Sequence, residues 1–350
     1  MPDPSHAVPT RSRLLEIVDA MAGQPVVLLA DLVADRFITG VPKRISREAP
    51  VLILSLESET LIPGGGANAV ANVHALGGRP LPVGVVGDDA SGRGLVELFR
   101  DRGIATDGLV EIPGYRTPTK TRILGGGRHA IKQQIVRYDA EQPLPPDPGR
   151  DAEVLRRLEA AAAEAPVAVL SDYGYGAVEP AALAVLRQSL KGAGTVLCDS
   201  RYRLRDFSGM DAGTPNEEEA EGLLGGPLAE DGVALAAQGR RLLDGLEARF
   251  LLVTRGSRGM ALFDEGGLCQ LPVHGTDQVA DVTGAGDTVI GTFALAVAAG
   301  ATPLEATLLA NYAGGIVVMK LGTATLDRDE LIHAVNTDAR PLEELRWVRS

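Results

Sequence analysis

The chain has 350 residues, and 34 basic against 46 acidic side chains give a net charge of −12 at pH 7. A 45 % apolar fraction excludes an intrinsically disordered chain, and the acidic balance speaks against binding nucleic acid or an anionic membrane surface. The 42 glycines follow no collagen-like period and point instead to tight turns and close backbone approaches to a ligand.

Residues 1–23 read as a disordered lead followed by an amphipathic helix with Leu14, Leu15, Ile17, Val18 and Met21, without the order of a secretory signal. Val26-Val27-Leu28-Leu29-Ala30 opens a series of short apolar runs, continued at residues 81–86, 167–170, 195–198 and 250–253, that fit strands buried on both faces. Helical stretches over residues 67–76, 92–101, 151–164, 179–190 and 233–246 fall between them. This alternation predicts an α/β fold, a mostly parallel sheet with helices on both faces. Residues 37–61 and 119–138 instead alternate apolar and polar side chains, as strands with one solvated face do. They predict a small β-structure projecting from the main sheet, serving as a lid or dimer surface, with Gly125-Gly126-Gly127 as its hairpin turn. Residues 144–148 read as a short connector, so residues 1–350 are expected to form one domain with this lid inserted. Residues 289–310 are apolar but interrupted by Pro303 and Glu305, which fits a buried helix pair better than a membrane span. Cys198 and Cys269 lie far apart and are expected to be inert buried thiols in a soluble, cytoplasmic protein.

The strongest motif is Asp281-Val282-Thr283-Gly284-Ala285-Gly286-Asp287, which turns tightly into an apolar helix. Amides at such a helix start bind anions. Asp287 beside that cradle either takes a proton from an attacking hydroxyl or merely caps amides. No Gly-Lys dipeptide occurs, which excludes the GxxxxGK[ST] phosphate loop, and GxGxxG is missing after both Val282 and the first strand. Pro63-Gly64-Gly65-Gly66-Ala67-Asn68 opens a second helix, suited to a hydroxylated ligand or simply a glycine turn. Asp31 and Asp35 follow the first strand, at the edge where open parallel sheets bind ligands. Asn216 and Glu219 share one face of a helix start, fit for a hydrated magnesium ion or forming an ordinary acidic first turn. Thr254-Arg255-Gly256-Ser257-Arg258-Gly259 follows a buried strand and offers hydroxyls, amides and cations to a polyphosphate, or is a solvated turn.

In this order the glycine-Asn motif, the NxxE element, the Thr254 loop and D-x-T-G-A-G-D resemble the ribokinase-like (PfkB) family of carbohydrate kinases, from about Val26 to Leu326. The resemblance implies a Rossmann-like domain with a small β lid that transfers the γ-phosphoryl group of ATP to a sugar hydroxyl, with Mg2+ as cofactor. It implies Asp287 as base and the amides of Gly284, Ala285 and Gly286 as anion hole. Asp31, Asp35, Gly64, Gly65, Asn68, Lys120, Arg122 and Asp172 are implied at the sugar. Asn216, Thr254, Gly256, Gly259, Thr283 and Asn311 are implied at the nucleotide, with Asn216 and Glu219 at the metal. A homodimer through paired lids is implied as well.

Within the family, Arg44 to Val51, Thr119 to Arg122, Val136 to Asp139, Leu170 to Tyr173 and Lys320 to Thr323 are similar to the branch that phosphorylates the anomeric hydroxyl of heptose 7-phosphate. The lack of an HxGH signature predicts the stand-alone kinase form, without a nucleotidylyltransferase domain. Tyr175 and Arg201 stand where that branch carries lysine; Arg201 keeps a cation and Tyr175 does not. Lys120, Arg122, Arg128, Lys132 and Arg137 are further basic candidates near the lid. The alternatives are a kinase for another sugar or sugar phosphate, and a catalytically silent binder on the same fold.

Overall fold

In the computed structural model the described residues are 8–127, 132–191, 194–275 and 280–349. The expected N-terminal lead lies largely outside them, as does Arg128. The described strands are β1 Pro25–Ala30, β2 Leu32–Ile45, β3 Leu52–Gly65, β4 Arg79–Gly87, β5 Leu109–Ile112, β6 Thr119–Gly125, β7 Gln133–Ala140, β8 Val167–Asp172, β9 Thr195–Ser200, β10 Ala212–Gly213, β11 Phe250–Thr254, β12 Met260–Asp264, β13 Gly267–Leu271 and β14 Arg346–Arg349. The described helices are α1 Arg11–Ala20, α2 Gly66–Ala75, α3 Ala90–Asp101, α4 Pro148–Ala162, α5 Ala181–Ser189, α6 Glu217–Leu224, α7 Gly232–Leu246, α8 Ala285–Ala298, α9 Pro303–Val317, α10 Arg328–Thr337 and α11 Arg340–Glu343.

The main sheet runs β14-β13-β12-β11-β10-β9-β8-β1-β4-β5 among the described residues. It is parallel from β11 through β5 and antiparallel from β11 out to β14. Side chains leave β1 alternately toward two cores. Val26, Leu28 and Ala30 join the layer of α1, α2, α8 and α9, while Val27 and Leu29 join that of α4, α5 and α7. A strand buried on both faces has no polar positions to alternate, which is why β1 reads as a continuous apolar run. The antiparallel extension β12 to β14 is not marked in the pattern, because its strands are only four or five residues long.

The expected small β-structure is a second sheet in the order β3-β2-β6-β7. It reaches further in than the pattern suggested, because β2 starts at Leu32, one residue after β1, and its first residues are buried. Buried positions hide the alternation by which a half-exposed strand is recognised. β6 and β7 pair antiparallel as a hairpin, and of the glycine triplet Gly125 ends β6 while Gly126 and Gly127 begin the connection, part of which lies outside the described residues. The expected buried helix pair is α8 packed on α9. Among the described residues no helix is long and apolar enough to cross a membrane.

Because β1 lies between β4 and β8, the chain reverses its direction of travel across the sheet there. The carboxyl edge at such a reversal leaves a crevice for ligands. The second sheet rises from the same edge.

Candidate active site

The ends of β8, β9 and β11, the starts of α6 and α8, and the root of the small sheet enclose a cavity of about 470 Å³. Gly284 precedes α8 with φ +79°, and a Cβ there would lie 2.6 Å from the Asn68 amide nitrogen. Only glycine fits that left-handed, crowded position. Having no side chain, Gly284 leaves α8 uncapped. Thr288 N donates to Gly284 O, and the amides of Gly286 and Asp287 have no intrahelical acceptor. The space beside Gly286 is open, which leaves these amides free to receive an anion at the positive end of the helix dipole. Ala285 N instead donates to Val282 O at 3.3 Å, which takes it out of the expected trio. Thr283 lines the cavity, its amide and hydroxyl both bound to Asp281 Oδ1 at 2.9 and 2.7 Å.

Asp287 is 2 % exposed and lines the cavity. Its Oδ1 accepts from the Tyr173 hydroxyl at 2.7 Å and its Oδ2 from Asn68 Nδ2 at 3.4 Å. Burial pushes its carboxyl up to about 7, against the opposing pull of those two donors. A base with that value exchanges protons readily near neutral pH. Asn68 is thus behind the wall, holding Asp287 and Gly284 O rather than facing the cavity.

The other expected sugar residues divide into wall and scaffold. Asp35 lines the cavity and is paired with Arg122 at 2.7 Å, and it also accepts from the Thr323 hydroxyl. Gly64 lies behind it: a Cβ there would come within 2.6 Å of Asp35 Oδ2. Gly65, with φ +49°, is at the cavity surface. Asp31 is scaffold. Its carboxylate accepts from the amides of Tyr173, Tyr175 and Ala177 at 2.9, 2.9 and 3.0 Å, and burial raises it to about 6. Asp172 reaches the wall but is committed to Arg203, Ser200 Oγ and the Gly174 amide. Lys120 lines the cavity with its ammonium 5.4 Å from the Tyr173 ring centre, and burial lowers its pKa. Arg137 and Arg201 line the same space, whereas Tyr175 is buried and donates to the Glu141 carboxylate.

On the opposite side Asn216 and Glu219 also line the cavity. Each closes half of a capping box: Asn216 Oδ1 accepts from Glu219 N and Glu219 Oε2 from Asn216 N, both at 2.9 Å. One Glu219 oxygen is left over, and Asp199 stands near it. Burial, followed by the charges of Glu219 and Asp287, drives Asp199 up to about 8, with Thr214 Oγ1 donating to it at 3.1 Å. Glu219 is likewise raised by burial, with Arg201 on the same cavity pulling the other way, and the two carboxylates with the Asn216 amide offer the hard oxygen donors that suit magnesium. Among the described residues no three acidic, histidine or cysteine side chains close on one point.

Thr254 is at the cavity, bridged to Asn216. Gly256 and Gly259 do not line it. Gly259 shapes the turn into β12, since a Cβ there would lie 2.0 Å from Leu271 O. The cations of that loop are spent locally, with Arg255 and Arg258 both paired to Glu217. Asn311 is likewise off the cavity, tying α9 to Pro272 O at 2.8 Å. Tyr173, Asp199, Thr214 and Thr323 are cavity residues to which the sequence patterns assign no role at the site, although Tyr173 and Thr323 end stretches similar to the heptose branch. Tyr173 and Asp199 sit at or next to the carboxyl ends of β8 and β9, so sheet-edge position was the available signal.

Moving a phosphoryl group onto a hydroxyl takes a proton acceptor next to donors for phosphate oxygens, and this sheet edge has both, as an α/β phosphotransferase requires. The pfkB family carbohydrate kinase profile matches residues 33–330, and the chain belongs to that family of carbohydrate kinases. It is 38 % identical over 332 residues to the bifunctional protein HldE of Mesorhizobium japonicum, covering 94 % of this chain and 66 % of that protein. It is 39 % identical over 342 residues to HldE of Paramagnetospirillum magneticum, covering 96 % and 68 %. The chain thus spans about two thirds of the length of these relatives. The fold is shared with Arabidopsis thaliana ribokinase complexed with ribose and ATP, at TM-score 0.67 and 21 % identity over 91 % of this chain and 100 % of that one. It is shared also with Escherichia coli phosphofructokinase-2 in complex with substrates and products, at TM-score 0.71 and 17 % identity over 89 % and 98 %.

Proposed function

We propose that the protein is an ATP-dependent kinase of D-glycero-β-D-manno-heptose 7-phosphate, phosphorylating its anomeric hydroxyl to the 1,7-bisphosphate in the cytoplasm. The observation that carries the kinase reading is the buried Asp287 carboxylate beside the open amides of Gly286 and Asp287. The heptose phosphate is supported by the similarity to HldE and by Lys120, Arg137 and Arg201, cations on one cavity that suit an acceptor already carrying phosphate.

In this reading Asp287 takes the proton of the acceptor hydroxyl as its oxygen attacks the γ-phosphorus of ATP in line. The bond from that phosphorus to the β,γ-bridging oxygen breaks, and ADP leaves. The α8 amides hold the transferred oxygens and supply the electrostatic part of catalysis. Asn216, Asp199 and Glu219 would hold hydrated magnesium, which when bound neutralises phosphate charge. The small sheet serves as the lid that keeps water from the transferred group. Its outer face carries Ile38, Val51, Leu52, Leu56, Ile135 and Val136 around an apolar groove of about 600 Å³, which a second copy of the chain would cover in a homodimer.

A kinase for a different sugar or sugar phosphate is favoured by one observation: Tyr175, at a lysine position of the heptose branch, is bound to Glu141 and brings no cation. The test is ADP release with ATP, magnesium and a panel of sugars and sugar phosphates, with Asp287→Asn as control. Turnover with heptose 7-phosphate, reduced about 10²–10⁴-fold in the control, is expected. Turnover with another acceptor alone discards the heptose assignment, and silence across the panel points to a non-catalytic binder.

A further inference from the structure

We infer that Tyr173 is a positioning residue for the base: its hydroxyl holds Asp287 through Oδ1 and leaves Oδ2 as the oxygen that takes the acceptor's proton. The inference rests on the kinase reading and goes one step deeper into it.

The two oxygens of Asp287 are held unequally. Oδ1 receives the Tyr173 hydroxyl at 2.7 Å, a strong hydroxyl-to-carboxylate bond. Oδ2 receives only the Asn68 amide at 3.4 Å, and that amide is shared with Gly284 O at 3.2 Å. A donor that stays on Oδ1 stabilises the carboxylate and leaves Oδ2, which has only that long shared amide contact, as the oxygen with lone-pair capacity to spare for a proton. The step is then balanced: the acceptor O–H bond breaks, its proton goes to Oδ2, and its oxygen bonds the γ-phosphorus as ADP departs.

Three further contacts hold the tyrosine in register. Its backbone amide is pinned to Asp31 Oδ2 at 2.9 Å, with Tyr175 and Ala177 bound to the same carboxylate. Its ring edge packs on Gly65, where an added Cβ would stand 3.3 Å from Cε2. The Lys120 ammonium lies over the ring. Asp31 therefore acts on the chemistry at a distance, by fixing the loop that fixes the tyrosine, which accounts for a buried carboxylate that does not line the cavity. The charged and titratable groups around Asp287 are Asp35 from β2, Lys120 from β6, Tyr173 after β8 and Asp199 from β9.

The test uses the full chain with Tyr173→Phe, which keeps the ring between Gly65 and Lys120 and removes only the hydroxyl. An unchanged thermal midpoint checks that the variant folds. The Asp287 carboxylate is titrated by carbon-13 NMR in the free protein, assigned with Asp287→Asn. Its midpoint is expected to move up by about one pH unit in the variant. In turnover assays kcat is expected to fall at least ~10-fold with KM for ATP unchanged, and the acid limb of kcat to shift in the same direction. A midpoint and a pH profile identical to those of the parent would overturn the inference, as would a shifted midpoint with kcat unaltered. If the parent turns over no acceptor, the kinase reading fails, while the NMR titration still decides whether Tyr173 sets the proton affinity of Asp287.

Discussion

Arg122 on β6 and Asp35 on β2 form a 2.7 Å salt bridge in which both side chains are buried, at the point where the small sheet leaves the main one. The Arg122 guanidinium also lies over the Phe37 ring, 5.2 Å from its centre. A charge buried without its partner costs far more than the pair contributes. Arg122→Met should therefore lower stability by about 3–5 kcal/mol in urea unfolding, and adding Asp35→Asn should recover most of the loss. A single variant losing less than ~1 kcal/mol would show that the pair does not hold the root.

Asp31, Asp287 and Asp199 are raised by burial to about 6, 7 and 8, from an ordinary value of 3.8. Above those values folding must bury charge. As pH falls through them the folded chain takes protons while the unfolded chain is still ionised, so stability rises from about pH 8 downward, the gain being complete below about pH 4 for these groups. The thermal midpoint is expected to climb between about pH 8.5 and 6. Asp287→Asn should be more stable than the parent at pH 8, by at most on the order of 2–4 kcal/mol, with the difference shrinking as pH falls and vanishing only below about pH 4. A difference independent of pH would show that Asp287 does not titrate in this range.

Gly259 and Gly256 separate a backbone role from a ligand role. Both have positive φ, +78° and +56°, but a Cβ at 259 strikes Leu271 O whereas 256 faces open space. Gly256→Ala should cost about 1–2 kcal/mol and Gly259→Ala clearly more, with the KM for ATP unchanged in whatever folds. A raised KM at normal stability would place the loop at the nucleotide after all.

Glu219→Gln should leave thermal stability unaltered, because glutamine also closes a capping box. The magnesium concentration needed for half-maximal turnover should rise, since the uncommitted oxygen loses its charge. An unchanged magnesium titration would reduce Glu219 to a helix cap.

Local physics was legible in the chain itself. Continuous apolar runs announce strands covered on both faces, and a glycine-rich start before an apolar helix announces free amides at α8, because both depend on neighbours a few residues apart. The sequence by itself therefore determined the layered α/β plan, the small second sheet and the place of Asp287 in the first turn of a helix with free amides. Which donor each polar side chain answers to was decided by tertiary contact. Asp31 gathers amides more than 140 residues away, Asn311 turns to Pro272, Arg255 and Arg258 turn to Glu217, and Tyr173 reaches Asp287 across 114 residues. A carboxylate or amide has the same local pattern whether it faces a ligand or a backbone donor. Only the burial and the partners that the folded chain brings to it separate a proton acceptor from a brace.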